Sequence, residues 1–269
     1  MRRIIILTII LLANFTNAQN IMIEYQGVYN NYMFHDYTLH ITDTVSLWQI
    51  ATENYKSKIK DTTILVKGKK FNTYEVMRIS NPVYDNYDHK RFVMKNKIKN
   101  NIIFTHVISD KRYFVVDTLN AMQWKLENEK KIILGYNCKK ASTTFRGRSY
   151  EVYYTESIPV SDGPWKFSGL PGLILEAISV DGTYSFKANK IITNYKEEID
   201  LPVFETKQLQ SWVDYVEEVR KYYDQKIAYF RAKAIQQKKT GSASVRISAM
   251  EIIHPVFSAT GVVMYRMKK

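Results

Sequence analysis

Only one cysteine, Cys138, occurs in the 269 residues, so no disulfide can form within the chain and stability rests on a packed core. A lone thiol of this kind is usually a buried small hydrophobe, and Lys139 and Lys140 beside it would lower its pKa only if it were exposed. Long apolar runs are missing as well. The stretch 4–13 is too short to cross a bilayer, which needs about 20 residues, and no later segment is longer. The sequence contains no H-E-x-x-H, no G-x-S-x-G, no G-x-G-x-x-G and no G-x-x-x-x-G-K. Its five histidines, His35, His40, His89, His106 and His254, are scattered, and His35 and His40 would point to opposite faces of one strand. No metal, no cofactor and no catalytic residue is therefore expected. Glu151 and Glu156 diverge in the same way, and Asp162 before Gly163-Pro164 most simply bonds the backbone of its own turn.

Glycine and proline are scarce too, at 10 and 6, and that scarcity gives one stretch its weight. Three of the glycines and two of the prolines fall within SDGPWKFSGLPGLILE, residues 161–176. Glycine supplies backbone angles other residues avoid and proline fixes φ, so this segment specifies one loop shape. Two readings are open. The loop is a structural corner between strands, or it is a binding loop built from Trp165, Phe167, Gly169, Leu170, Pro171 and Gly172 with Trp165 as its anchor. As a corner, it requires at least one glycine at positive φ.

What is abundant is positive charge, β-branched residues and aromatics. The formal charge is +13, carried by dispersed lysines that include 56, 58 and 60, then 95, 97 and 99. Alternating lysines on a strand share a face, and such a stripe suits a guarded edge or contact with an anionic envelope surface rather than nucleic acid. Residues 1–18 read as a secretory signal peptide, with Arg2 and Arg3, an apolar core and cleavage after Ala18. A soluble mature chain of residues 19–269, periplasmic or secreted and without a transmembrane segment, is the expectation.

From residue 21 to 192 the pattern is that of successive strands, among them 102–108, 112–116, 123–127, 131–135, 138–145, 149–155, 173–180 and 183–191. Asp181-Gly182 marks a hairpin. Residues 205–239 change period: Leu209, Trp212, Val216, Val219, Tyr223, Ile227 and Phe230 recur at three- and four-residue steps, which predicts one long amphipathic helix. Residues 244–253 and 261–267 read as closing strands. The fold class is mainly antiparallel β with a long C-terminal helix, α+β, in one domain whose sheet is strongly curved or a half-barrel.

The order Met122-Gln123-Trp124-Lys125-Leu126, then 131–141, Phe145-Arg146-Gly147-Arg148, Tyr153-Tyr154-Thr155, 158–164 and finally Gly169-Leu170-Pro171-Gly172-Leu173-Ile174 resembles the GLPGLI family of secreted proteins of Bacteroidetes-type bacteria. Ile23-Glu24-Tyr25 and residues 43–48 extend the resemblance, which covers 21–192; the tail 242–269 departs from it, and Tyr153 stands where that family often has tryptophan. The family has no established activity, so the resemblance implies an exported address and a β-rich fold and no catalytic residues. At fold level the pattern also resembles the half-barrel of periplasmic lipoprotein carriers and the bowl-shaped N-terminal domain of some bacterial peptide-N-glycanases.

These readings lead to a non-catalytic envelope binding or carrier protein for an apolar or lipid-like ligand, with the helix or the 169–174 loop as lid. The alternative is a protein-interaction accessory of an outer-membrane, TonB-dependent transport system, with an outer-membrane protein as partner. A hydrolase ranks behind both.

Overall fold

The computed structural model describes residues 20–29, 33–51, 63–66, 69–72, 91–108, 111–204, 209–236, 242–246 and 262–266. The expected signal peptide, the 56–60 lysines, and most of the expected strand 244–253 lie outside these.

Twelve strands form one open sheet. In chain order they are β1 (Ile21–Tyr29), β2 (Met33–Ile41), β3 (Val45–Ile50), β6 (Phe92–Asn96), β7 (Asn101–Ile108), β8 (Lys111–Thr118), β9 (Lys125–Ile133), β10 (Tyr136–Phe145), β11 (Arg148–Thr155), β12 (Leu173–Ser179), β13 (Tyr184–Thr193) and β14 (Leu209–Ser211). Two short hairpins stand as separate sheets: β4 (Thr63–Val66) with β5 (Lys69–Asn72), and β15 (Ser242–Arg246) with β16 (Val262–Arg266). Across the main sheet the order is β14-β8-β7-β6-β3-β2-β1-β13-β12-β11-β10-β9. Every neighbouring pair is antiparallel except β14 on β8. One helix, α1 (Trp212–Gln236), follows β14. The α+β architecture read from the sequence is what the chain adopts.

Hairpin chemistry sets much of this order. Leu134 and Gly135 (φ 51° and 82°) and Arg146 and Gly147 (φ 46° and 82°) are two-residue turns with both central residues left-handed. That turn matches the twist of the strands it joins. Residues 125–133 form one strand where the sequence suggests two short ones, and its pairing with β10 shifts register between Lys139 and Ala141.

Strand alternation gives the sheet two different faces. On the inner face, Leu39, Trp48, Val93, Phe104 and Val115 lie side by side on five neighbouring strands and join the main core. On the outer face, Leu47, Phe92, Met94 and Ile103 form a second cluster, covered by Ile199, Phe204 and Leu209 as the chain passes from β13 to β14. β14 then adds to the sheet edge and α1 begins. The helix starts at Trp212, later than its apolar periodicity suggests, because Ser211 caps it: its Oγ accepts from Asp214 N at 3.2 Å and donates to Asp214 Oδ2 at 2.7 Å. Leu209, expected on the helix, is a strand residue. Among the described residues, Tyr215 and Val219 are the helix side chains buried in the core, with Trp212, Val216, Tyr222 and Tyr223 packed against it. Cys138 is buried, and burial pushes its thiol up to about 11, so it is an inert core residue.

Candidate functional site

The 161–172 loop does not line an open bowl; it fills the inner face. Trp165, Phe167 and Leu170 are 8%, 0% and 2% exposed. Trp165 packs edge-on against Phe145 and Phe167, with ring centroids 6.2 and 5.3 Å apart, and Phe167 meets Tyr150 at 5.0 Å. The sheet itself grips the loop through two charged side chains of one cross-strand row, Ile41–Ser46–Lys95–Ile102–Asp117. Lys95 Nζ donates to Asp162 Oδ1 (2.6 Å), Gly163 O (2.6 Å) and Phe167 O (2.9 Å), all three buried. Burial lowers the pKa of this ammonium, and Asp162 works against the shift. Asp162 also accepts from Gly163 N, the turn bond its sequence position suggests.

The second grip is Asp117. Its carboxylate accepts two bonds from Arg146, at 2.7 and 2.8 Å, and one from Lys166 Nζ at 3.0 Å. Burial pushes Asp117 up, but the Arg146 bonds and the Lys166 charge outweigh it and hold the carboxyl below its ordinary range. Lys166 Nζ also sits 3.6 Å from the centre of the Phe104 ring, and the Arg146 guanidinium lies 3.3 Å from the centre of the Trp212 ring. Helix start, hairpin tip and loop are thereby tied to one carboxylate. Trp165 takes φ +51°, a conformation that costs a bulky residue roughly 1–3 kcal/mol and persists because these contacts over-determine it.

Two glycines do different jobs here. Gly169 has φ +94°, the positive angle the corner reading requires. Gly172 is needed for close approach, since a Cβ there would lie 2.1 Å from Thr155 O. Gly169 and Pro171 are the exposed tips, and Trp124 Nε1 donates to Ser168 O at 2.8 Å beside them. Of the six residues named from the sequence, three bury their side chains, and Gly172 is wedged against backbone.

Beside this core, Tyr215 Oη and His106 Nδ1 lie 2.7 Å apart. Burial, with Arg91 and Lys166 nearby, lowers the His106 pKa to about 4, so the ring is neutral at pH 7. The unfolded chain then takes up the proton first as pH falls. Stability should drop by about 3 kcal/mol between roughly pH 6.5 and 4 and level off below, the usual sign for a histidine buried neutral. His106→Gln should flatten that part of a stability–pH curve measured by urea melts; an unchanged slope would remove His106 as its source.

The polar chemistry that faces outward lies on the other side of the sheet, on β9–β12. Lys140 is set among Glu151 (3.0 Å), Glu129 (3.1 Å) and Glu127 (3.8 Å). The Tyr153 hydroxyl donates to Glu129, which raises its pKa to about 12, and Ser142 Oγ donates to Glu127 at 2.6 Å. Lys131 bonds both oxygens of Glu176, at 2.7 and 2.8 Å, and lies 4.9 Å from the centre of the Tyr153 ring. Four carboxylates and two ammonium groups thus engage one another in a charged platform on the outer face. The sequence reading missed it because its members come from four strands. The 95–99 lysine stripe, in contrast, dissolves: Lys95 is buried, Lys97 Nζ donates to Thr42 O, and β6 ends at Asn96.

This architecture has known relatives. The model of the family described as N-glycanase peptide, N-terminal domain, matches residues 48–217. The chain belongs to that family. Two solved structures of PNGF-II, in the P21 and C2 space groups, have TM-scores of 0.50 and 0.49 at 18% and 19% identity. Each match covers 76% of this chain and 34% or 33% of the PNGF-II chain, so the chain spans about a third of that protein's length. No curated protein matches.

The family match overturns the resemblance to the GLPGLI family. The hexapeptide is what a corner of this shape demands, a left-handed Gly169, a wedged Gly172 and the buried Leu173 and Ile174, and that demand is not peculiar to one family. It overturns the apolar-ligand carrier and the transport accessory as well, neither of which belongs to an N-glycanase domain. The carrier also conflicts with the packing, since Trp165, Phe167 and Leu170 occupy the inner face where an apolar ligand was expected.

Proposed function

We propose that this domain recognises glycan on glycoproteins and serves N-glycanase chemistry carried by a different domain. The observation that carries this reading is the family match over residues 48–217, within which most of the sheet lies. The outer platform suits the task. Its carboxylates and ammonium groups are fixed by one another on adjacent strands, which presents donors and acceptors to sugar hydroxyls with little ordering cost. Catalysis is assigned elsewhere in this reading: among the described residues, the carboxyls displaced from their ordinary range, Asp117, Glu129, Asp181 and Glu218, are all displaced downward. A general acid for cleaving a glycan linkage needs the opposite shift. The 165–172 loop acts in this reading as the frame that holds the sheet, and export directed by residues 1–18 brings the domain to its substrate.

The test is a binding isotherm with an N-glycosylated protein and with the same protein after enzymatic removal of its glycans. Binding of the glycosylated form alone, weakened about tenfold or more by Lys140→Met and without release of free glycan, is the expected result. Equal binding to both forms would discard the glycan, and release of free glycan by the chain would discard the non-catalytic role.

A further inference from the structure

Lys95 and Asp162 form their ion pair out of reach of solvent, each side chain 1% exposed. Taking two charges out of water is costly, and burial draws the Lys95 ammonium toward its neutral form. All three donors of this ammonium are committed, to Asp162 Oδ1 (2.6 Å), Gly163 O (2.6 Å) and Phe167 O (2.9 Å). When the proton shared with Asp162 passes to the carboxylate, the other two N–H bonds hold the amine in place. The lone pair so created points along the bond that was lost, at the Asp162 carboxyl group. That carboxyl is asymmetric. Oδ1 also accepts from Gly163 N at 2.8 Å, whereas the buried Oδ2 has no hydrogen-bond partner among the described residues. One oxygen is anchored and polarised, and the other is free to depart.

We propose that Lys95 and Asp162 condense into an intramolecular isopeptide bond, a covalent cross-link between β6 and the 161–172 loop. Lys95 Nζ attacks Asp162 Cγ, Gly163 N–H stabilises the charge on Oδ1 in the tetrahedral intermediate, and Oδ2 leaves as water. An ammonium and a carboxylate enter the reaction, and a secondary amide and one water come out. Two of the Nζ protons leave in the water and the third stays on the amide nitrogen, so no oxidant, cofactor or activating group is consumed. Holding the two groups in contact supplies an effective concentration on the order of 10⁵ M or more for well-oriented partners. The product carries no charge, which removes the desolvation cost of the pair, and the closed site keeps bulk water from hydrolysing the amide. The neighbouring pair, Lys166 with Asp117, lacks this arrangement, since Arg146 engages both Asp117 oxygens and leaves neither free to depart. In a chain whose single cysteine rules out an internal disulfide, the bond ties together residues 67 apart in sequence. This inference stands whether or not the outer face binds glycan.

Mass spectrometry tests it, on the full chain purified in its folded state and then denatured. Counted from its observed N-terminus, the intact protein should be lighter than its sequence requires by one water. A tryptic digest should contain one branched peptide joining the segments around Lys95 and Asp162, with no cleavage after Lys95. Lys95→Met should show the full mass and no branched peptide. A wild-type mass equal to that of the sequence overturns the proposal and leaves the two residues an ion pair. A missing water that maps to any other pair of residues overturns it as well.

Discussion

Gly172→Val is expected to cost about 3 kcal/mol or more and to lower the melting temperature by roughly 6–12 °C. The cause is contact with backbone. A Cβ on residue 172 would stand 2.1 Å from the carbonyl oxygen of Thr155 and 2.6 Å from its carbon. Neither atom can swing aside, because Thr155 is the last residue of β11 and pairs with Leu173 on β12. Relief would require separating the two strands where the loop enters the sheet. Gly135 is the control, with φ +82° and nothing within 4 Å of an added Cβ. Gly135→Asn should cost little, since asparagine tolerates that conformation in a two-residue hairpin turn. Equal losses at both positions in thermal melts would show that conformation, rather than close approach, governs Gly172.

Breaking the Lys95–Asp162 pair from the lysine side should be comparably severe. Lys95→Met strands a buried carboxylate and takes the donor from two buried carbonyls, Gly163 O and Phe167 O. A loss of about 3–5 kcal/mol is expected, the usual penalty for an uncompensated buried charge. Asp162→Asn should cost less, because the lysine keeps both carbonyl acceptors. The double variant should be more stable than Lys95→Met alone, and chemical denaturation of all four proteins gives the coupling directly. Additive losses would mean that the pair contributes nothing as a pair.

The strands were legible because their β-branched and aromatic content and their turn residues are local signals. β7, β8, β10, β11, β12 and β13 fall within a few residues of where the sequence suggests. The helix was legible as a period, and its start was not. The Ser211…Asp214 cap is a sequence signal that overrides the apolar spacing of Leu209. Lys95 was misplaced for a different reason. Alternation does put it on one face with its i+2 neighbours, but which face is inner depends on Asp162, 67 residues away. The outer platform was invisible on the same ground, since Glu127, Lys140, Glu151 and Glu176 meet only once four strands are in register. The glycine- and proline-rich composition of loop residues 165–172 reports the geometry of a corner. A short motif set by geometry therefore pointed to the wrong family.

The central claim is that this domain recognises glycan through the outer face of β9–β12 while its inner face is closed by its own loop. Hydrogen–deuterium exchange of the full chain with and without an N-linked glycopeptide tests it most directly. Slowed exchange confined to β9–β12, with the 161–172 loop and β1–β3 unchanged, is the result the account predicts. Protection centred on Trp165–Gly172 and the inner-face strands, with β9–β12 unaffected, would contradict it.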